Sequence, residues 1–461
     1  RFQTSSTVAQ CQDFCLGLIL KHIFDQCPFF LSVAQSLIRS HSRSGSKSEM
    51  SQTELNRCAY VLPRKKRTCR MMTKPGKIFC GEHSIFDAEN PQIRIPCPYD
   101  PKHTVNKSDL IEHLTTKCNA RLPSEPYIVQ NMNLAKPDAL KYETGEDYGS
   151  PKPDVLVQIA EITERECKME KLCLIKGERQ KYTDLIEKHL QEEKSLGGKS
   201  RKHLIQLSSI IAHLTENNLI LNSSDFCLIE LGSGKAQLAY WLSKLVPKCK
   251  FLLLDRAGSR NKYDNKASKE DDQLDFQRIR CSIEHLSLNE VDMAKSTSNL
   301  TAVCKHFCGS ATDSGIRCLL NAQRNGVQLK GFALAPCCHH RTEYSEFVGL
   351  PFLSSIGITS EGQFSALRHI STWALCKFPK QELSNQKPLC DSVDQLNGNI
   401  IGNVDSWSPH YKESLGRKAR ILLEYARAHY LAQCGFAVKM FEYVPVDISP
   451  ENFLIIGTLE N

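Results

Sequence analysis

The 461-residue sequence has no run of about 18 or more consecutive apolar residues, the length a membrane-spanning helix requires. It also lacks a positively charged segment followed by an apolar core and a small-residue cleavage site, so neither a membrane span nor secretion is expected. A disulfide framework is not expected either. The 21 cysteines are odd in number in a chain without an export signal, which favours reduced thiols and metal ligands in a reducing compartment, the cytoplasm or the nucleus. No methionine precedes Met50, so the first 49 residues, with their apolar stretches FCLGLILKHIF and PFFLSVAQSLI, read as a disordered or artefactual extension. They lack the arginine enrichment of a mitochondrial presequence. No internal repeat is visible, and 41% hydrophobic with 24% charged residues is the balance of a globular chain with room for two or three folding units.

Acidic residues are missing altogether between Arg57 and Lys77, where Arg57, Arg64, Lys65, Lys66, Arg67, Arg70, Lys74 and Lys77 concentrate much of the basic character behind the formal charge of +8. Such a patch suits a polyphosphate partner, and a solvated surface without a ligand is the alternative.

Four regions follow Met50. Residues 50–90 and 91–123 are short, cysteine-bearing and poor in core-forming residues; 124–200 carry a helical connector; 201–461 alternate apolar runs with helical patterns. In the connector, Leu156, Ile159, Ile162, Met169, Leu172, Tyr182, Leu185, Ile186 and Leu190 recur at helical spacing, with an interruption at Gly177 and an end at Gly197-Gly198. Helices packed on the larger domain are the preferred reading over a free coiled coil. The runs FCLIEL, KFLLLD, RIRCSI, LTAVCKH, GFALAP, AVKMFEYV and FLIIGTL predict strands of an α/β, doubly wound, mostly parallel sheet. The last two lie close around VDISPEN and should pair antiparallel. Residues 380–410 read as a polar insertion loop.

Two ligand sets stand out. Cys58, Cys69, Cys80 and His83 offer three thiolates and an imidazole, and Cys97, His103, His113 and Cys118 offer two of each; either set completes a tetrahedral zinc site. His113 and Cys118 fall on a helix predicted through DLIEHL and capped by Ser108, where a spacing near four or five turns both toward one point. Without metal these segments have no core. The stretch PCCHHR, residues 336–341, is different, because consecutive residues leaving a strand alternate in direction. It lies at the carboxyl end of a predicted strand, where doubly wound sheets bind ligands, and is read as an active-site lip in preference to a metal site.

In FCLIELGSGKAQLAYWL a strand meets Glu230, Gly232, Gly234 and Ala236, then an amphipathic helix. Gln237 stands where a dinucleotide fingerprint has its third glycine, and no Gly-Lys-Ser/Thr follows, so neither a Rossmann dinucleotide site nor a phosphate loop is matched. The turn resembles instead the first motif of class I S-adenosylmethionine-dependent methyltransferases, with Asp255 at the end of the next strand placed for ribose hydroxyls.

From about Arg57 onward the sequence resembles the transfer-RNA 2'-O-methyltransferases that modify the fourth nucleotide of the acceptor stem. The resemblance rests on Phe79-Cys80-Gly81-Glu82-His83, the Cys97 to Cys118 finger with its DPKH, RKHLIQLSSI, ELGSGKA, CKHFCGSATD, ALAPCCHHR, STWA and PEN. It implies a class I methyltransferase domain behind CCCH and CHHC zinc fingers, two structural zinc ions, S-adenosylmethionine at Glu230, Gly232, Gly234 and Asp255, a transfer-RNA acceptor stem as partner, and no obligate protein partner. The fingers, the basic run, Arg260 and Lys262 are then expected along the phosphates of an A-form stem. Lys305 and His306 at the end of the fourth strand, with His339, His340 and Arg341 at the end of the fifth, are the expected catalytic groups. One of Lys305, His306 or His339 would be the base, Asp313 would orient one of them, and Arg341 would contact the RNA backbone. Three positions depart from the family's usual residues: Ala236 and Cys304 where glycine is usual, and Ser282 where an acid often stands. Ala236 is expected to be tolerated and Ser282 to weaken adenine recognition.

Two other readings compete: a methyltransferase acting on another structured RNA or on a base nitrogen, and a zinc-finger RNA-binding protein that has lost its cofactor. KHFCG is not the Asn/Asp-Pro-Pro-aromatic signature of base methylases, and the intact Glu230, Gly232, Gly234 and Asp255 argue for cofactor binding.

Overall fold

A computed structural model describes residues 57–62, 67–86, 94–99, 103–118, 121, 125–136, 151–168, 183–257, 262–375 and 404–459. The expectations for residues 1–49, for Arg64, Lys65, Lys66 and Arg260, for the break at Gly177 and for most of the 380–410 insertion lie outside the described residues. The chain divides into two units, Arg1–Arg121 and Leu122–Asn461.

In the first unit the buried residues are almost all cysteines. Cys58, Cys69 and Cys80 cluster with Tyr60 and Phe79, and Tyr60 stacks on His83 with ring centroids 4.0 Å apart. A two-residue hairpin, Val61–Leu62 with Arg67–Thr68, presents Cys69; a second, Arg94–Pro96 with Thr104–Asn106, presents Cys97 and His103. The predicted helix is present in a different form. It begins as a 3-10 turn at Lys107–Asp109, and Ser108 bonds the adjacent Asp109 carboxylate instead of capping it. It then widens into a π turn at His113–Lys117, closed by Cys118 N–H donating to His113 C=O at 2.6 Å. In a regular α-helix, residues five apart are rotated by about 140°. The wider turn brings His113 and Cys118 back to one side.

The second unit is built on a seven-stranded sheet. Its strands are β1 Phe226–Leu231, β2 Lys250–Leu254, β3 Asp275–Ile279, β4 Asn299–Cys308, β5 Leu329–Cys337, β6 Phe436–Glu442 and β7 Phe453–Leu459. In space they run 3-2-1-4-5-7-6, with only β7 reversed against both of its neighbours. That is the strand order of the class I methyltransferase fold. All six residues of β1 are buried, as a parallel strand covered on both faces requires. The sequence placed β3 at RIRCSI, but the ladder with β2 uses Asp275–Ile279. Cys281 and Ile283 are buried beyond it, in a loop and a 3-10 turn, so the apolar signal lay downstream of the strand.

The helix α1, Pro153–Lys168, packs on α7, Glu361–Trp373, and α8, Pro409–Gln433, to form a core separate from the sheet's own. The helix α2, Asp184–Glu192, packs on α3, Gly198–Glu216. The described parts of the predicted connector are thus packed into the domain, whereas Met169, Leu172 and Tyr182 lie outside the described residues; Gly197 caps the start of α3, so the glycine pair opens a helix as well as closing a segment.

One buried ionic network ties α8 to the sheet. Arg427 donates to both oxygens of Asp313, at 3.1 and 2.8 Å, and to Glu424 Oε1 at 2.6 Å. Glu424 Oε1 is also 2.6 Å from His339 Nε2, and Arg420 Nε reaches His339 Nδ1 at 3.2 Å while its other nitrogens bond the Pro450 carbonyl and Glu451. Asp313 sits on α6, Ser310–Arg324, which follows β4. Arg427, Glu424 and Asp313 are each 1% exposed or less, so neither carboxylate has water in place of its cation. Replacing Arg427 by Met takes the shared cation away from two buried carboxylates, and we expect urea unfolding to show a loss of about 3–5 kcal/mol. Asp313→Asn added to Arg427→Met should recover part of that loss, whereas a single variant within about 0.5 kcal/mol of the parent would show that the network carries no stability.

Candidate active site and zinc sites

The glycine turn after β1 places Gly232 at φ +69° and Gly234 at φ +49°. A methyl group added to Gly232 would lie 3.0 Å from the Phe307 ring, whereas one on Gly234 would meet nothing within 4 Å. The turn therefore rests on β4 on one side and opens on the other, the form a backbone cradle needs. Asp255 accepts the N–H of Gly234 and of Ala257, each at 2.7 Å, one on each carboxylate oxygen. A carboxylate has about four lone-pair sites, so it retains capacity for two ribose hydroxyls. These residues fit S-adenosylmethionine.

Glu230 is placed otherwise than the sequence suggests. It is buried behind the turn and accepts the N–H of Ala239 at 3.1 Å, near the start of the helix α4, Gln237–Leu245. Burial pushes its carboxyl up to about 8. It shapes the turn from beneath. Ala236 has φ +59° and is fully buried, so this chain carries an alanine in the left-handed region where glycine has no steric cost. Ser282 lies against the Glu284 carboxylate, so an acid is present two residues beyond the position where the sequence lacks one.

Sequence reasoning missed Arg278 on β3. It grips Asp264, on the helix α5, Tyr263–Glu270, with two bonds, at 2.9 and 3.0 Å, and donates to Ser233 Oγ and the Gly234 carbonyl at 3.0 and 3.2 Å, fixing the turn from the side. The alternation of Arg278 and Arg280 around Ile279 was the available signal, and it does not say which arginine points inward.

Lys305 lies on β4, buried, and the register with β5 shifts between Lys305 and Phe307, where His306 takes φ +66°. Neighbours on a regular strand point to opposite faces; this bulge brings them together. Lys305 Nζ is 2.8 Å from His306 Nε2 and 2.8 Å from His203 Nδ1, a residue of α3. Burial pushes the Lys305 amine down to about 8. Burial, together with the Lys305 charge, takes both imidazoles down to about 4 although the outer face of His306 is exposed. Two neutral rings therefore accept from the ammonium. His203 stands within RKHLIQLSSI, but a histidine on a helix gives no sign in the sequence of which strand it will meet.

The candidates of the fifth strand separate. Arg420 has no lone pair to offer, so its Nε donates to His339 Nδ1, and His339 Nε2 must carry the proton given to Glu424. Both nitrogens are committed inside the buried network, which rules His339 out as the base. Asp313 does not orient Lys305, His306 or His339 directly: Arg427 and the Val348 N–H occupy it, and it reaches His339 only through Arg427 and Glu424. His340 and Arg341 are exposed on the 3-10 turn His339–Arg341, at the rim. Glu451 of PEN accepts the Cys338 N–H at 3.1 Å, which joins the turn after β5 to the segment before β7.

A cavity of about 440 Å³ opens beside this cluster, lined by Lys199, His203, Gln237, Trp241, Tyr263 and Lys266 among others. It shares His203 with the lysine cluster but does not include Asp255 or the glycines.

The zinc donors converge as the spacing implied. His83 Nδ1 is 3.4 Å from the sulfurs of Cys58 and Cys80, and Cys69 completes the set. In the other, Cys97 and Cys118 are 3.5 Å apart, His113 Nε2 is 3.3 Å from Cys97, and His103 Nε2 is 3.7 Å from Cys118. Each group lies within 4.8 Å, close enough for one tetrahedral ion.

Comparison with known proteins finds a family model described as Methyltransferase TRM13 over residues 205–458. A CCCH zinc finger in TRM13 protein matches residues 56–84, and a U11-48K-like CHHC zinc finger matches 94–119. A Homo sapiens protein named tRNA:m(4)X modification enzyme TRM13 homolog is 28% identical over 471 residues, covering 87% of this chain and 94% of that one. The tRNA:m(4)X modification enzyme TRM13 of Yarrowia lipolytica is 29% identical over 435 residues, covering 87% and 89%.

Because the core of the first unit is made of the ligands themselves, stripping zinc from the chain with a chelator should raise amide exchange across the described residues 57–118 to unfolded rates. The strands β1 and β2, which carry no zinc donor, should keep their protection. Retained protection in both fingers after complete zinc removal would show that another core holds them.

Proposed function

Since the chain belongs to the TRM13 methyltransferase family, we propose that it transfers the methyl group of S-adenosylmethionine to the ribose 2'-hydroxyl of nucleotide 4 in the acceptor stem of transfer RNA. The observation that carries this reading is Lys305, a buried amine brought down to about 8 and held between two neutral imidazoles at the carboxyl edge of the sheet. A ribose hydroxyl is a weak nucleophile and needs a proton acceptor as it reacts. The names of the relatives point to transfer RNA as the substrate.

The cofactor supplies an electrophilic methyl group on a sulfonium when bound. The chain's residues do the rest. Gly232, Gly234 and Asp255 hold the nucleoside part, with Arg278 and Glu230 keeping the turn in shape. Lys305, as the free amine, accepts the hydroxyl proton, while His203 and His306 keep the amine in place. His339 positions the turn that carries His340 and Arg341 to the rim, where Arg341 meets the RNA backbone. Lys199 and Lys266, with the aromatic faces of Trp241 and Tyr263, line an approach suited to phosphates and bases. The exposed Arg57, Arg70, Lys74 and Lys77 of the CCCH finger add phosphate contacts that set register without reading sequence.

The test is a nucleoside map by mass spectrometry of unmodified transfer RNA incubated with the chain and S-adenosylmethionine. A new 2'-O-methyl nucleotide at position 4 is expected; a methylated base, or cofactor binding without any transfer, would sink the proposal. In the same assay kcat/KM should rise about tenfold per pH unit and level off above a pKa near 8, since only the neutral amine accepts a proton. Lys305→Ala should lower the rate by about 10²–10⁴ and abolish that limb, with cofactor affinity unchanged.

A further inference from the structure

The methyl-transfer site leaves three thiols unused at the ends of β4 and β5. Cys308 and Cys337 are register partners on these strands, with sulfurs 3.2 Å apart. Cys338 should point away from Cys337, but it takes φ +54° and ψ +48°, and this left-handed residue turns its thiol back to the same side. The three sulfurs lie within 4.8 Å of one another, the same closeness as the donors of the two fingers. A nitrogen of His306 and an oxygen of Glu451 lie within the same distance of Cys337 Sγ. All three thiols are free, Cys337 buried and the others half-buried.

We propose that Cys308, Cys337 and Cys338 bind a third zinc ion through three thiolates, with the fourth position facing His306 and Glu451. Sulfurs about 2.3 Å from a tetrahedral zinc stand about 3.8 Å apart, within the range these three span. A disulfide would use two thiols and leave the third sulfur, which lies within 4.8 Å of both, out of the bond. Arg420 on Glu451 offsets the added negative charge. The ion is a staple: it joins the two strand ends at the bulge that aims Lys305.

The test is the zinc content of the full chain, purified reduced and freed of loosely bound metal. We expect about three ions per chain, falling by one in Cys338→Ser and, independently, by one in Cys308→Ser. Cys69→Ser, in the first finger, should remove a different ion, so that Cys69→Ser with Cys338→Ser retains one. In cobalt-substituted protein, Cys338→Ser should reduce the thiolate-to-cobalt charge-transfer absorption. Two ions in the parent, unchanged by Cys338→Ser, would overturn the proposal, and so would a Cys308 to Cys337 disulfide found by mapping the unreduced chain. Metal counts do not depend on methyl transfer, so failure of the third site and failure of the transfer-RNA assignment remain distinguishable.

Discussion

Arg427 and the carboxylates it holds, Asp313 and Glu424, are the interaction on which the catalytic edge depends. A guanidinium and two carboxylates with no water are stable only if every charge is met in the right geometry. Burial works to raise the Glu424 carboxyl, but Arg427, His339 and Arg420 outweigh it and hold it below the usual range. The result is a rigid link between the helix after β4, the turn after β5 and the long helix before β6. Glu424 also fixes the proton on His339, and Arg420 carries the link on to the segment before β7. Movement of any one of these elements would leave a bare charge in the interior.

That rigidity has a function where two strands end. The bulge at His306 and the left-handed turn at Cys338 are both locally unfavourable for residues with a Cβ, and costs of order 1–3 kcal/mol persist only where surroundings enforce them. Both conformations break the alternation of a strand. One brings Lys305 beside His306; the other brings Cys338 beside Cys337. Gly309 lets the two ends approach, since a methyl there would lie 2.6 Å from the Arg341 carbonyl oxygen. A pocket made in this way is set before any ligand arrives.

The fingers solve a different problem. Their segments contain too few apolar residues for a core, so the donors take the buried positions and Tyr60 and Phe79 pack around them. The surface is left free for charge, and the exposed Arg57, Arg70, Lys74 and Lys77 use it.

Much of this could be read from the chain alone. Continuous apolar runs such as FCLIEL and GFALAP have only one economical home, a parallel strand covered on both faces, and the eight finger ligands are legible because metal geometry tolerates few spacings. The glycine turn and Asp255 were legible for the same reason, as local chemistry with local constraints. β3 was misplaced because an edge strand with mixed burial has little pattern of its own, and Ser108 failed as a cap because the helix starts two residues earlier than such a cap requires, with Asn106 at the cap position. What the sequence by itself determined is what depends on neighbours along the chain: periodicity, turns and ligand spacing. Only the tertiary structure decided which candidate could act as a base. It put His203, from a helix about a hundred residues away, beside Lys305 at 2.8 Å, and it closed His339 between Arg420 and Glu424. Proton affinity follows burial and the charges within a few ångströms, and those are properties of the folded interior.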